Sequence, residues 1–286
     1  CKGAPSLALC ARQTHDDSLS RSITYNCCSK HTISSCWCGG GVTARVVLVT
    51  GAASGIGAAC CRRLAAPGVA VLVHTRKNAA GAEAVADQVR TAGGQAAVML
   101  GVIADPAVPG ALVASAVETF GALDVLVAAA GFADRTPLAE MPDATLAKSL
   151  DAVLWGFLRL ARAALPPMAG RPAPRIIAVS SFVAHVFRTD VTLFPASAAA
   201  KAGVEALVRA LAVEAAAQGI TVNAVAPGYT RKDPGAHAAL TPAQWEAVTA
   251  KIPLGRLGTP EDVAAMVGFL ASPEAGERRE RCGATA

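Results

Sequence analysis

The sequence predicts an α/β fold in which helices cover both faces of a doubly wound parallel sheet. Short runs of Val, Ile and Leu recur along the chain, and Ala-rich helical stretches separate them. The runs are almost continuously apolar, as expected for strands that are buried on both faces. Strands and helices that alternate in this way are typical of a parallel sheet. With 286 residues, 53% of them hydrophobic, the chain is long enough to bury such a core.

Each element is assigned from its own pattern. Strands are predicted at residues 45–50, 69–75, 96–102, 125–129, 175–180 and 220–226. Helices are predicted between them at residues 55–66, 80–92, 109–120, 146–165 and 198–218. Two further helices are expected after Thr241 and Thr259, because each of these threonines precedes a proline at a first helical position. Gln244 is expected to complete a capping box in the first of them.

The two ends of the chain lack this pattern. Residues 1–41 show no sustained periodicity, carry six of the nine cysteines and end in three glycines, which predicts an unstructured Cys-rich leader. Residues 42–273 are expected to form the folded domain. Residues 274–286 are polar and mixed in charge, so we expect an irregular tail and no C-terminal edge strand.

The cysteines of the leader raise the alternative of a small zinc site. The candidate ligands are Cys27 or Cys28, His31, Cys36 and Cys38. These residue types suit zinc, but their spacing matches no usual pair of ligand pairs. No metal site is therefore assigned.

Charge and hydropathy exclude several classes of protein. The net charge is +5 and no block of Lys and Arg stands out, so a nucleic-acid partner is not indicated. No apolar run reaches the roughly 18 residues of a membrane-spanning helix. No secretory signal is recognisable at the N-terminus. These observations predict a cytoplasmic location, with organelle targeting by the leader left open.

A glycine-rich segment connects the first predicted strand to the first predicted helix. It reads Thr50-Gly51-Ala52-Ala53-Ser54-Gly55-Ile56-Gly57. Glycines at this place allow a tight turn and a close approach of the backbone to a pyrophosphate, which the N–H groups of the helix start then face. The sequence therefore predicts that a dinucleotide is bound here, and the residues expected to contact it are Gly51, Ser54, Gly55, Ile56 and Gly57.

The end of the second predicted strand indicates which dinucleotide is bound. An acidic residue at this place binds the ribose 2′-hydroxyl of NAD, and none is present. Arg76 and Lys77 follow the strand instead, and their cations suit a 2′-phosphate. NADP is therefore predicted in preference to NAD, with two solvated loop cations as the alternative interpretation.

Four segments together resemble the short-chain dehydrogenase/reductase family, especially its members related to 3-oxoacyl-carrier-protein reductase. They are the glycine-rich segment, Lys201-Ala202-Gly203, Val222-Asn223-Ala224-Val225-Ala226-Pro227-Gly228 and Pro253-Leu254-Gly255-Arg256. The resemblance covers about residues 43–273. It implies a Rossmann fold, hydride transfer between NADP and a ketone, aldehyde or secondary alcohol, and a homodimer or homotetramer. It also implies that the cofactor is contacted by Gly131, Lys201, Pro227, Gly228 and Thr230.

The resemblance further implies a set of catalytic groups. In the family a Ser orients the substrate carbonyl, a Tyr transfers the proton and an Asn supports a water relay. A Lys lowers the pKa of the Tyr and holds the nicotinamide ribose. Transferred to this chain, the Ser is Ser181 and the Lys is Lys201, whereas the Tyr position is Ser197 and the Asn position is Val153. The catalytic candidates are therefore Ser181, Ser197 and Lys201.

The missing phenol leaves alternatives open. The chain has only two tyrosines, Tyr25 and Tyr229, and neither lies in the helix of Lys201. His185, four residues after Ser181, and Tyr229 are candidates for a substitute acid/base. The alternative function is an NADP-binding pseudoenzyme with a regulatory or assembly role, in which cofactor binding is retained and turnover is lost.

Overall fold

The computed structural model describes residues 45–189, 192–231, 241–276 and 282–284. Within these ranges the strands are β1 (Arg45–Thr50), β2 (Val69–Thr75), β3 (Gln95–Leu100), β4 (Val125–Ala128), β5 (Arg175–Val179), β6 (Thr221–Ala226) and β7 (Cys282–Ala284). The α-helices are α1 (Gly55–Leu64), α2 (Ala79–Thr91), α3 (Ala107–Phe120), α4 (Asp143–Ser149), α5 (Gly156–Met168), α6 (Pro195–Glu214), α7 (Pro242–Thr249) and α8 (Pro260–Ala271).

The seven strands form one parallel sheet in the order β3-β2-β1-β4-β5-β6-β7. The chain runs outward from β1 to β3, returns to the other side of β1, and then continues outward from β4. This is the predicted doubly wound α/β fold. The direction of winding reverses between β1 and β4, and in such sheets ligands bind in the crevice at that point, beyond the carboxyl ends of the strands.

Alternate side chains of the strands bury two separate cores. On β1, Val46 and Leu48 face one core, whereas Val47 and Val49 face the other. The first core packs against α3, α5 and α6, and the second packs against α1, α2 and α8. Because both faces are covered, both positions of the strand repeat are apolar, which explains the continuous apolar runs of the sequence.

Four features differ from the sequence prediction. A strand forms where none was expected, since Cys282–Ala284 pairs with Ala224–Ala226 as β7 at the edge of the sheet. Its Cys-Gly-Ala sequence has small residues and no β-branched side chain, so it gives no strand signal. The strand predicted at residues 96–102 ends instead at Leu100, and Val102 is exposed in the following loop.

The single helix predicted at residues 146–165 is interrupted. A π-helical turn, Leu150–Trp155, separates α4 from α5. Isolated π-turns within helices are frequent at functional sites, and this one carries Val153. The helix predicted at residues 198–218 begins three residues earlier, at Pro195, because proline suits the first turn of a helix.

The helix predicted after Thr259 has a full capping box. The Thr259 side chain accepts a hydrogen bond from the Asp262 N–H at 3.1 Å, and the Asp262 carboxylate accepts from the Thr259 N–H at 2.8 Å. The Arg256 guanidinium and these bonds lower the pKa of Asp262 to about 2.

Several predictions concern parts of the chain outside the described residues. These are the leader at residues 1–41, with its candidate zinc ligands, and the side chain of Gln244. Within the described parts of the chain, no helix combines the length and apolar character needed to cross a membrane.

Candidate active site

The glycine-rich segment forms a tight turn between β1 and α1. Gly51 has φ +67° and Gly55 has φ +55°, which is the left-handed region that favours glycine. The turn is fixed to both neighbouring strands: the Ala52 N–H donates to the His74 carbonyl at 2.8 Å, and the Thr50 hydroxyl accepts from the Ala130 N–H at 3.2 Å. The sequence prediction of a turn at this position is therefore matched by its geometry.

The glycines of this turn also allow close backbone contacts. A Cβ added to Gly51 would lie 2.8 Å from the Ala130 Cα, and one added to Gly57 would overlap the Gly51 carbonyl oxygen. A Cβ added to Gly55 would meet nothing within 4 Å, so the turn borders open space at that point. The first N–H groups of a helix have no intrahelical acceptor and attract an anion. This cradle fits the pyrophosphate of a dinucleotide.

Two cations follow β2 on the same edge of the sheet. Arg76 and Lys77 are exposed, and neither side chain has an ion-pair or hydrogen-bond partner within the described ranges. Asn78 then caps α2 by accepting the Gly81 N–H at 3.0 Å. The arrangement leaves both cations available to a phosphate, and no carboxylate lies in the segment Thr75–Asn78 to bind a ribose hydroxyl.

Lys201 lies beside the carboxyl ends of β4 and β5. Its ammonium donates a hydrogen bond to the Val179 carbonyl at 2.5 Å. A Cβ added to Gly131 would lie 3.6 Å from the same nitrogen and 3.8 Å from the Val153 side chain. Gly131 therefore lies beside the lysine ammonium.

The surroundings of Lys201 are mainly apolar. It lines a small cavity of about 10 Å³ together with Thr50, Ala130 and Val153, which come from three different parts of the chain. Burial lowers the pKa of Lys201 from 10.5 to about 8, and the negative charge of Glu205 acts in the opposite direction. The lysine can therefore gain or lose a proton near neutral pH.

Ser197 lies one helical turn before Lys201 on α6 and is almost fully buried. Its Oγ accepts a hydrogen bond from the Asp134 N–H at 2.9 Å. The Asp134 carboxylate in turn accepts the Thr136 N–H at 2.9 Å. The hydroxyl thus holds the loop after β4 against α6, which uses one of its lone pairs and leaves its proton available.

Ser181 begins a short 3₁₀ turn, Phe182–Ala184, directly after β5. Its Oγ accepts the Val183 N–H at 3.4 Å. The turn is fastened to the segment after β6, because the Phe182 N–H donates to the Pro227 carbonyl at 2.9 Å. The Phe182 and Tyr229 rings also pack with their centroids 4.5 Å apart.

The segment after β6 is held by the start of α8. The Gly258 N–H donates to the Tyr229 carbonyl at 2.9 Å, and Thr230 and Gly258 form an isolated parallel bridge. The Thr230 hydroxyl donates to the Gly228 carbonyl at 3.2 Å. Pro227, Gly228 and Thr230 therefore form a fixed turn on the same edge as Ser181.

The structure brings several sequence candidates together. Lys201 contacts the strand that leads into Ser181, shares its helix with Ser197, and shares its cavity with Thr50 at the start of the glycine-rich turn. Arg76 and Lys77 lie apart, at the end of β2.

The two substitute acids of the sequence prediction have other contacts in the structure. His185 Nε2 lies 2.8 Å from the Glu205 carboxylate, and the Tyr229 ring packs on Phe182. Two residues of the site were not predicted from the sequence. They are Asp134, whose backbone N–H donates to Ser197, and Glu205. A signal for Glu205 was present, because it follows Lys201 by four residues and so lies on the same face of the helix.

Comparison with known proteins identifies the family. A sequence model of the family described as enoyl-(acyl carrier protein) reductase matches residues 51–277. The chain belongs to the short-chain dehydrogenase/reductase family. Members of this family that are named 3-oxoacyl-carrier-protein reductases are among the relatives of this chain, as the sequence predicted. It is a family of NAD(P)-dependent oxidoreductases that act on alcohol and carbonyl groups.

Individual relatives of the family cover most of this chain. The cis-4-hydroxycyclohexanecarboxylate dehydrogenase of Sinomonas cyclohexanicum is 41% identical over 81% of this chain and 90% of its own length. The 3-oxoacyl-(acyl-carrier-protein) reductase of Escherichia coli is 36% identical over 81% of this chain and 91% of its own length. A short-chain dehydrogenase from Burkholderia cenocepacia, solved in complex with NADP, superposes with a TM-score of 0.75 at 30% identity and covers 85% of this chain and 97% of that one.

Two further observations bear on other kinds of site. In the described parts of the chain, no group of three or more His, Cys, Asp or Glu side chains is placed to hold a metal ion. Cys60 and Cys61 are free and buried in α1, and burial raises the pKa of the Cys60 thiol to about 12. Their thiols are therefore unreactive packing groups rather than nucleophiles.

Proposed function

We propose that the protein is an NADP(H)-dependent oxidoreductase that transfers hydride between the nicotinamide and a ketone or secondary alcohol. The observation that carries the proposal is the half-buried Lys201 ammonium beside Gly131, on the same edge of the sheet as the glycine-rich turn. A cation at this point favours negative charge on a reacting oxygen. Residues 42–273 are proposed as the cofactor-binding domain.

The proposed cofactor contacts are those of the sequence motifs, and the geometry of the edge supports them. Gly51, Ser54, Gly55, Ile56 and Gly57 would hold the pyrophosphate at the start of α1. Arg76 and Lys77 would bind the 2′-phosphate, which favours NADP over NAD. Gly131, Lys201, Pro227, Gly228 and Thr230 would contact the nicotinamide end. The NADP complex of the Burkholderia cenocepacia relative supports this choice of cofactor.

The chain's own groups would act on the substrate oxygen. The cofactor, when bound, supplies or accepts the hydride. Ser181 would donate a hydrogen bond to the carbonyl oxygen, and Lys201 would hold the nicotinamide ribose. Ser197 is too short to replace a phenol directly, so we propose that a water molecule bridges its hydroxyl to the substrate, with Lys201 tuning the proton transfer.

The substrate class is proposed from the relatives. The Escherichia coli relative is named for a 3-oxoacyl thioester carried on a protein, and the Sinomonas relative for a hydroxycyclohexanecarboxylate. Both names describe a secondary alcohol or ketone in a molecule that also bears an acyl or carboxyl group. We propose a 3-oxoacyl-like or other small carbonyl compound as the substrate.

One specific observation favours a second candidate function. Ser197 and Val153 stand where the family has its Tyr and Asn, so this chain lacks two of the four catalytic groups. Loss of a positioned general acid costs about 10²- to 10⁴-fold in rate. An NADP-binding pseudoenzyme, with a regulatory or assembly role, is therefore the alternative.

We also propose a cytoplasmic homodimer or homotetramer that has no nucleic-acid or membrane partner.

Cofactor binding and turnover, measured separately, test these proposals. NADPH and NADH binding would be followed by nucleotide fluorescence in the wild type and in Arg76→Ala/Lys77→Ala. We expect the double variant to weaken NADPH binding at least tenfold and to leave NADH binding unchanged. NADPH oxidation would then be followed over a panel of carbonyl compounds that includes a 3-oxoacyl thioester, with Lys201→Ala as the control.

The outcomes separate the two candidates. Wild-type turnover well above that of Lys201→Ala supports the oxidoreductase. Binding without turnover on any compound of the panel supports the pseudoenzyme. Absence of NADPH binding contradicts both.

A further inference from the structure

A buried carboxylate lies behind the turn that carries Ser181. Glu205 is only 4% exposed, and its Oε1 accepts a hydrogen bond from the Ser180 hydroxyl at 2.5 Å. The same oxygen lies 2.8 Å from Nε2 of His185. Ser180 is also buried, whereas the His185 side chain is 44% exposed and closes the cluster toward solvent.

A carboxylate in this position is costly, so its contacts need an explanation. Burying a charge is unfavourable unless it is paired and hydrogen-bonded. Within the described ranges, Asp124 is the other buried acidic side chain, and it lies at the opposite edge of the sheet. There Asp124 accepts the Val46 N–H at 2.7 Å and pairs with Arg171, so it fixes the start of β1. Glu205 is likewise a buried carboxylate with hydrogen-bond partners, but it lies at the edge of the sheet that carries the site.

The location of Glu205 on α6 connects it with the catalytic candidates. Ser197, Lys201 and Glu205 follow one another at intervals of four residues, so they lie along one face of the helix. The partners of Glu205, Ser180 and His185, lie at the two ends of the turn that contains Ser181. The carboxylate therefore links the helix of Lys201 and Ser197 to the turn of Ser181.

The other anchors of this turn come from β6 rather than from α6. The Ser180 N–H donates to the Val225 carbonyl at 2.7 Å, and the Phe182 N–H donates to the Pro227 carbonyl at 2.9 Å. These bonds set the turn against the sheet. Helix α6 holds the turn itself through the Ser180 and His185 bonds to Glu205, whereas its bond from Lys201 reaches only Val179, at the end of β5.

We propose that Glu205 is a positioning residue of the site, which fixes Ser181 relative to Lys201 through its hydrogen bonds to Ser180 and His185. This inference rests on the proposed function, because it assigns a purpose to Ser181 and Lys201. It concerns a residue that acts through others, since Glu205 itself does not line the cavity. His185 then serves as a partner of Glu205 rather than as the substitute acid.

The test compares Glu205→Leu and Glu205→Gln with Glu214→Leu, a change at an exposed glutamate of the same helix. The first readout is hydrogen–deuterium exchange, which needs no turnover. In Glu205→Leu we expect faster exchange at residues 182–186, while β1 keeps the wild-type rate. Glu205→Gln retains a hydrogen-bonding group of the same shape and should restore much of the protection.

The second readout is kinetic. A misplacement of about 1 Å can cost roughly 10²-fold in rate, so we expect kcat of Glu205→Leu to fall about 10- to 100-fold. NADPH affinity should remain within about twofold of the wild type, because neither Ser180 nor His185, the hydrogen-bond partners of Glu205, is a proposed cofactor contact. Glu205→Gln should recover part of kcat, and Glu214→Leu should behave as the wild type in both readouts.

The results that would overturn this inference differ from those that would overturn the proposed function. Unchanged exchange at residues 182–186 in Glu205→Leu overturns the positioning role, whatever the activity. Equal loss of protection in the turn and in β1 also overturns it, because the effect is then one on global stability. If Glu205→Leu does not fold, Ser180→Ala provides the same local test. A wild type that binds NADPH but never turns over refutes the proposed function, and the exchange data still decide the role of Glu205.

Discussion

At the scale of single residues, position 197 decides what chemistry the site can perform. A phenol beside a cation becomes an acid that works near neutral pH, whereas an aliphatic hydroxyl does not. Ser197 is buried and bonded to the Asp134 N–H, and Lys201 lies one turn farther along the helix. The lysine thus remains in place although the group that it normally assists in the family is absent.

The first prediction is that Ser197→Tyr accelerates the reduction of carbonyl compounds. Restoring a positioned general acid should raise kcat by about 10²- to 10⁴-fold. The matched control is Ser197→Phe, which adds the ring without the hydroxyl and disturbs the Asp134 contact equally. The measurement is NADPH oxidation under saturating cofactor. Equal rates in the Tyr and Phe variants would contradict this assignment of position 197.

The second prediction concerns the effect of pH on stability. Burial lowers the pKa of Lys201 from 10.5 to about 8, so the charged form is less favourable in the folded than in the unfolded protein. Between about pH 8 and pH 10.5 the unfolded chain binds more protons at this site, and stability should therefore rise with pH. Below about pH 8 the full penalty is present in the folded protein.

The matched variant is Lys201→Met, which keeps the length of the side chain without its charge. The free energy of unfolding of each protein would be measured by denaturant titration without cofactor. Between about pH 8 and pH 10.5, the wild type should gain stability relative to the variant. A difference that stays constant from about pH 7 to pH 10.5 would refute the lowered pKa.

At the scale of elements, the glycine-rich turn is the part most sensitive to a single methyl group. A Cβ on Gly57 would overlap the Gly51 carbonyl, so the backbone must shift where the start of α1 meets the turn. The third prediction is that Gly57→Ala weakens NADPH binding at least tenfold. The measurement is a fluorescence titration of the folded variant.

Gly110→Ala is the matched control for this change. Gly110 lies in α3, where an added Cβ meets nothing within 4 Å. It should bind NADPH as the wild type does, and its stability should increase by up to about 1 kcal/mol, because alanine favours a helix over glycine. Wild-type affinity in Gly57→Ala would argue against the turn as the pyrophosphate site.

The elements also indicate how far sequence patterns reach. The strands Arg45–Thr50 and Val69–Thr75 were predicted with their observed bounds, because each is a continuous apolar run buried on both faces. β7 was missed, since Cys-Gly-Ala forms a strand only through pairing with the edge of β6. The π-helical turn at Leu150–Trp155 was also missed, because its apolar pattern matches that of an ordinary helix.

At the scale of the whole molecule, the candidate site follows from the order of the strands. The glycine-rich turn follows β1, the Gly131 segment follows β4, and Ser181 follows β5. These three strands are neighbours in the sheet. The sequence therefore indicated which loops meet once a parallel sheet was predicted. Its spacing from Lys201 placed Glu205 on the same helix face, but the sequence did not indicate that this side chain is buried, because a glutamate on a helix is usually solvated and only the tertiary fold buries this one.

The fourth prediction is that the protein is a homodimer or homotetramer. Large apolar side chains are exposed at the end of the π-helical turn Leu150–Trp155 and on α6, with Trp155 at 44% and Val213 at 67%. Burying such side chains between subunits is favourable. Sedimentation velocity should give two or four times the mass of one chain. Val213→Glu should lower that mass and Ala111→Glu, at an exposed position of α3, should not. A monomeric wild type at micromolar concentration would contradict the prediction.

The central claim is that this chain transfers hydride although serine occupies its tyrosine position. The most direct measurement uses NADPH that carries deuterium at the transferable position of its nicotinamide, with a 3-oxoacyl thioester and a cyclohexanone carboxylate as substrates. Mass spectrometry of the product alcohol then locates the label. We predict one deuterium on the carbinol carbon with the wild type and none with Lys201→Ala. Product without deuterium, or no product from a wild type that binds NADPH, would contradict the claim.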